Sequence, residues 1–257
     1  MLLRKTSFPF FIILLMSIAI GSCLKPNNQD FVEERIHIQG ILIAGEEVQE
    51  IKVQEIKSEK NITDAKVKIC DNQGCFDLMM TSPGIYQSES DLIIYPDSTY
   101  QLEVTWNGTI CSSSTQIPSE LSWVNVESTI INIDTNNTGQ QALSAEWLSG
   151  TETSFVMELQ NIEENPEQIN YSVPTFSFEN TYYLPINNTN ITLQDLFFTH
   201  YGAHRFIVYS IDQSYQDVFF YQPQIQQIQP SEGMDNIEGA FGVFVGVNKL
   251  SIDLIVN

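Results

Sequence analysis

The sequence predicts a mainly β chain made of two antiparallel β-sandwich regions, with a short helix in the second. Three observations carry that expectation. Apolar and polar residues alternate with period two in many short runs. Turn pairs such as Pro83-Gly84 and Asn107-Gly108 punctuate those runs at the spacing of sandwich strands. Apolar residues make up 42% of the chain, enough to fill a globular core.

The elements follow in order. Ile36-His37-Ile38-Gln39-Gly40-Ile41-Leu42-Ile43 alternates and turns at Gly45, with His37 on the polar register and so expected at the surface. Ile51, Val53 and Ile56 mark a second strand. Ala65-Lys66-Val67-Lys68-Ile69 leads into a Cys70–Cys75 turn, and residues 76–80 return from it. Residues 100–106 and 110–117 read as a hairpin around Asn107-Gly108, the pair that favours a type I′ turn. Residues 118–121, opening on Pro118, read as a junction. Beyond it, residues 123–133, 143–147, 155–159, 182–186 and 205–211 are strand candidates. Asp212 offers a cap, and Tyr215, Val218 and Phe219 recur at helical spacing, so a short helix is expected over 212–221, ending before Pro223. Residues 239–244 and 250–256 close the chain as strands.

The amino terminus sets the compartment. Arg4 and Lys5 precede an apolar run over residues 8–20, and Ile20-Gly21-Ser22-Cys23 follows. A basic start, a short greasy stretch and small residues at the exit describe a secretory signal. The run is shorter than the roughly 20 residues a spanning helix wants. The residues before Cys23 resemble a bacterial lipobox, whose cysteine sulfur accepts a diacylglycerol after export. The expected organisation is a signal peptide at 1–22, a tether at 23–30, a first sandwich at 31–118 and a second β-rich domain at 119–257. Lipidation of Cys23 would anchor the body to a membrane, and several acyl chains hold firmly where one is marginal.

Composition narrows the partners. The whole chain carries a formal charge of −21, and the leader contributes two cations and no acid, so the mature body stands at −23. Such a body repels nucleic acid and anionic headgroups, which leaves the lipid on Cys23 as the attachment. Cys70 and Cys75 face each other across an Asx-Gly turn in an exported chain, so a disulfide or two reduced thiols both remain open. Cys111 is then unpaired and expected to be a buried small hydrophobe.

No nucleophile elbow, zinc-protease helix, phosphate loop or dinucleotide glycine pattern occurs, so no catalytic residue, metal or cofactor is expected. His200 and His204, four apart, lack a third metal ligand and read as surface or loop histidines. The loop Asp134-Thr135-Asn136-Asn137-Thr138-Gly139 has the residues of a calcium loop without its closing glutamate. Trp106, Trp123 and Trp147 read as core more readily than as a ligand platform.

Four stretches carry a family resemblance. They are Ile36-His37-Ile38-Gln39-Gly40-Ile41 soon after Cys23, Ile62–Ile69 leading to Pro83-Gly84-Ile85-Tyr86, Tyr100–Val104 ending at Thr115-Gln116-Ile117-Pro118, and Ser210–Tyr215 with Asn236–Phe244. In that order the chain resembles the Bacteroidota outer-membrane lipoproteins of the domain-of-unknown-function 4249 family. It departs in having Ala240-Phe241 where the pattern has Gly-Leu, and in an irregular stretch from 161 to 199. The resemblance implies a first sandwich of immunoglobulin-like or carboxypeptidase-regulatory-like type. It also implies an accessory or binding lipoprotein of the bacterial outer membrane beside a TonB-dependent transporter. A structural or adhesive envelope module, and a hydrolase with an unrecognised carboxylate site, are the competing expectations.

Overall fold

The computed structural model describes residues 36–46, 48–89, 92–150, 154–172, 181–186, 188–211 and 235–257. The expected signal peptide, the tether with Cys23 and the helix at 212–221 lie outside the described residues.

Within them the chain is mainly β. Seven strands build the first region: β1 (Ile36–Ile43), β2 (Glu50–Glu55), β3 (Lys66–Cys70), β4 (Cys75–Ser82), β5 (Ile85–Gln87), β6 (Thr99–Trp106) and β7 (Thr109–Gln116). The rest are β8 (Leu121–Val126), β9 (Ile130–Ile131), β10 (Gln141–Ser149), β11 (Ser154–Asn161), β12 (Thr181–Ile186), β13 (Asn190–Gln194), β14 (Gly202–Ile211) and β15 (Phe241–Val256). One 3-10 turn, Asp195–Phe197, interrupts them.

One large sheet runs β12-β11-β14-β15-β1-β2-β5-β4-β3-β6-β7, with β9 added beside β15, and a smaller sheet runs β13-β10-β8. The large sheet folds over on itself at β4. Its first half, Cys75–Leu78, pairs with β3, and its second, Met79–Ser82, with β5. The enclosed core is largely aliphatic, with Ile38, Leu42, Ile51, Val53, Ile69 and Leu102 at most 1% exposed. Two tyrosines pin its rim. The Tyr86 hydroxyl donates to Ile62 O and accepts the Ala65 N–H, and the Tyr100 hydroxyl donates to Ile93 O and accepts the Tyr95 N–H. The small sheet packs on β11, β14 and the end of β15 around Trp147, Phe155, Phe198 and Phe206.

The regions on either side of residue 118 lie in one compact unit, Arg35–Asn257. The physical reason is β15. Its first half pairs in parallel with β1, Phe241 to Val247 against His37 to Ile43, and puts Phe244 into the first core. Its second half pairs with β14 and puts Leu254 and Val256 into the second. The two terminal strands read from the sequence are thus one 16-residue strand. Gly246 and Asn248 mark a crossing rather than a break. Gly246 leaves room for the Gln116 carbonyl of β7, which would lie 2.8 Å from an added Cβ. The Asn248 amide donates to the carbonyls of Pro118 and Ser119.

A clasp closes the first sandwich. Asn236 takes the N–H of Phe244 on its Oδ1 and donates its Nδ2 to Phe244 O, at 2.8 and 2.7 Å. Asp235 Oδ1 accepts the Gly242 N–H, and Glu238 pairs with Ser112 of β7. Gly242 has φ 120°, and a Cβ there would stand 1.8 Å from Ile38 O. Only glycine lets β15 approach β1 so closely.

Candidate functional site at the far pole of the second sandwich

β1 runs from Ile36 to Ile43 with β15 parallel to it. The chain therefore enters the folded body at the end of the first sandwich opposite to where β15 passes into the second. The turn at Gly84, the Asn107-Gly108 hairpin and the clasp share this entry pole. Asn107 and Gly108 both have positive φ, 48° and 79°, as a type I′ turn requires. The far pole of the second sandwich holds the ends of β10, β11, β13 and β15 with the loops 134–140, 162–172 and 195–201.

The far pole gathers several residues singled out by the sequence. Asp195, 3% exposed in the 3-10 turn, accepts the Gly139 N–H on Oδ1 at 2.8 Å. Its own N–H donates to Gln140 O, so this turn holds the Asp134–Gly139 loop in place. Asp134 Oδ1 accepts the Asn136 N–H within that loop. Both carboxylates, that of Asp134 in the calcium-like loop and that of Asp195 beside it, are thus serving backbone amides. The Tyr171 hydroxyl reaches the carbonyls of Asp195 and Phe198 at 2.7 and 2.8 Å. Burial, with Asp195 and Tyr201 beside it, raises its pKa far above neutral, so it stays a donor.

His200 and His204 share no helix face. His204 lies on β14, 3% exposed, its ring edge-on to Phe198 at 5.6 Å and its Nδ1 3.1 Å from Gly202 O. The surface location expected for it is corrected: β14 places it on the core side of the sheet. Burial lowers its pKa, the Gly202 carbonyl opposes that, His200 adds to it, and Glu163 opposes. His200 bonds Thr199 and is half-buried. Glu163 Oε2 accepts the Ala203 N–H, and a Cβ on Gly202 would stand 2.4 Å from that oxygen. Asn161, opposite His204 across the ladder, keeps its Nδ2 buried without a partner. Among the described residues, no three His, Cys, Asp or Glu side chains converge as a metal site would require.

The other singled-out residues lie apart. Cys70 and Cys75 are joined in a disulfide across the β3–β4 hairpin. Cys111 is a buried free thiol touching Gly239 O, and burial raises its pKa. His37 departs from its expected surface place: it is half-buried with Nε2 shut away unpartnered, and burial, then Lys52, lowers its pKa against Asp235. Trp147 is 0% exposed, with Trp123 edge-on at 6.3 Å, and its indole N–H is also unpartnered. Trp106 lies at the entry pole and donates to Asp64. Sequence reasoning missed β13 and the staples Glu163 and Tyr171. The alternation of Ile191 and Leu193 was the available signal for β13.

Charge divides along the same axis. Seven of the nine cations after the leader occur by Lys68, and no lysine or arginine falls between Lys68 and Arg205. The remaining two are paired, Arg205 with Asp253 and Lys249 with Glu46. At the far pole Asp134, Glu164 and Glu167 are exposed.

A family model described as "Domain of unknown function (DUF4249)" matches residues 24–253, across both sandwiches. The chain belongs to the DUF4249 family. No curated protein matches this DUF4249 chain. Three solved structures are similar to it at low identity. A biofilm-associated protein BSP domain is 12% identical with TM-score 0.26, over 86% of this chain and 29% of that one. A chimeric titin Z1Z2 tandem is 11% identical with TM-score 0.21, over 86% and 96%. A bacterial ice-binding adhesin is 10% identical with TM-score 0.24, over 86% and 64%. This chain thus spans under a third of the biofilm protein. None of the three bears on its ligand.

Proposed function

We propose that this DUF4249 protein is a lipid-anchored accessory or binding lipoprotein of the bacterial outer membrane, acting without catalysis beside a TonB-dependent transporter in nutrient uptake. One observation carries the arrangement: the chain enters at one end of the first sandwich, and the acidic second sandwich lies beyond the other. A lipid on Cys23 then leaves the first sandwich near the bilayer and the far pole free for a partner. The charge division supports that orientation, because an anionic surface repels the far pole more than the entry pole. The family match opens at residue 24, one past Cys23. No helix among the described residues is long and apolar enough to cross a membrane.

Two measurements test the reading. Mass spectrometry of the purified amino terminus should find Cys23 acylated, and Cys23→Ala should release the protein from membranes. Mild-detergent purification should bring down a transporter barrel. A deletion that impairs surface attachment while nutrient uptake stays normal would replace this reading with a structural envelope module.

A further inference from the structure

We propose that the Cys70–Cys75 disulfide is a site of reversible thiol–disulfide exchange, opened by a dithiol reductant while the fold stays intact. Three observations carry it. The first is access. Cys75 is exposed and Cys70 half-exposed on the outer face of the β3–β4 hairpin, whereas Cys111, the other cysteine described, is buried.

The second is that the hairpin has ties of its own besides the bridge. Asp71 Oδ1 accepts the N–H groups of Gln73 and Gly74, and the Asp71 N–H donates to Gly74 O. That bond makes Cys70 and Cys75 the adjacent pair without one, where cross-strand side chains come closest. Val67, Ile69 and Leu78 anchor both strands in the first core. Opening the bond therefore leaves both sulfurs opposed and ready to reclose.

The third is the electrostatic setting. Lys68, Asp77, Gln101 and Glu103 share the outer face around the bridge, and Asp71 sits at its tip. Three acids against one lysine disfavour a thiol that carries further net negative charge, such as glutathione, relative to a dithiol whose only charge is the attacking thiolate.

The exchange balances. A reductant thiolate attacks the Cys75 sulfur, the S–S bond breaks, and its electron pair leaves on Cys70, which takes a proton. The reductant's second thiolate then attacks the mixed disulfide, releasing Cys75 to be protonated and closing the reductant's own disulfide. The protein gains two electrons and two protons, and the dithiol loses them.

The test uses the full mature protein in native buffer, treated with dithiothreitol and then with a maleimide, the labelled cysteines being located by peptide mass spectrometry. The expected result is two new labels per chain, on Cys70 and Cys75, none on Cys111, and an unchanged circular dichroism spectrum. Removing the reductant in air before the maleimide is added should leave both cysteines unlabelled, the bridge having reclosed. Glutathione should react more slowly, with the gap narrowing as salt rises. Labelling that begins only in denaturant together with Cys111, or that comes with loss of the β spectrum, overturns the proposal. So does a Cys70→Ser, Cys75→Ser protein that fails to fold, because the bridge would then be a structural staple.

Discussion

The first sandwich encloses aliphatic side chains such as Ile38, Leu42 and Ile51, pinned at the rim by the hydroxyls of Tyr86 and Tyr100. The second encloses aromatic ones, Trp147, Phe155, Phe198 and Phe206, sealed at its far pole by Asp195 and His204. Burial raises the pKa of both rim tyrosines, so the first core's polar pins keep one protonation state through neutral pH. Burial lowers the pKa of His204 from its ordinary value. Each region also holds a histidine whose pKa burial lowers, His37 in the first and His204 in the second, so the difference between them lies in how the cores are filled and pinned. The one strand they share, β15, decides whether they can fail separately.

The largest expected effect breaks that strand. Gly242→Ala forces a Cβ to within 1.8 Å of Ile38 O and should destabilise the protein by on the order of 5 kcal/mol. Both cores should be lost in a single unfolding transition, followed by Trp fluorescence in urea. Two separated transitions would show that β15 does not couple them.

A second change acts on the second core alone. Trp147→Ala removes a fully buried indole and should cost about 4 kcal/mol. Trp147→Phe should cost far less, about 1 kcal/mol, because it also deletes a buried N–H that has no acceptor. Equal losses from the two variants would mean that the N–H is satisfied in solution.

Much of this comparison was legible in the sequence, and the reasons are local. The Asn107-Gly108 turn, the alternation of β1, β3 and β6 and the burial of Cys111 follow from period and turn chemistry, which act over a few residues. The stretches that carried the family resemblance turn out to be structural pins. Tyr86 and Tyr100 hold loops, and Asn236 clamps Phe244. What was not legible depends on long-range placement. His204 is four residues from His200, yet one is buried in β14 and the other sits outside that strand. Gly246 and Asn248 fall between the two terminal strands that the sequence predicts, and they mark the crossing of β7 over β15. The far-pole staple between Gly139 and Asp195 joins residues too distant in sequence for any spacing rule.

The smallest effect is a pH dependence. Unfolded, each histidine binds a proton near pH 6.5, and burial holds the folded pKa of His204 and His37 lower. Below 6.5 the unfolded chain therefore binds more protons than the folded one, and stability falls as the pH drops. Above 6.5 the contribution is fully present. The slope is at most about 1.4 kcal/mol per pH unit for each histidine. His204→Gln should remove its own share of the slope, seen in urea midpoints taken on either side of pH 6.5. An unchanged slope would place the pH response in His37 and the first sandwich.

The orientation of the two sandwiches on a bilayer is best read by depth. Probes attached at Asn107→Cys, in the entry-pole hairpin, and at Asn137→Cys, in the far-pole loop, can be compared on the lipidated protein in vesicles carrying headgroup quenchers. The Asn107 position should be quenched strongly and the Asn137 position hardly at all. Equal quenching, or stronger quenching at Asn137, would contradict a first sandwich at the membrane with the acidic second sandwich held away from it.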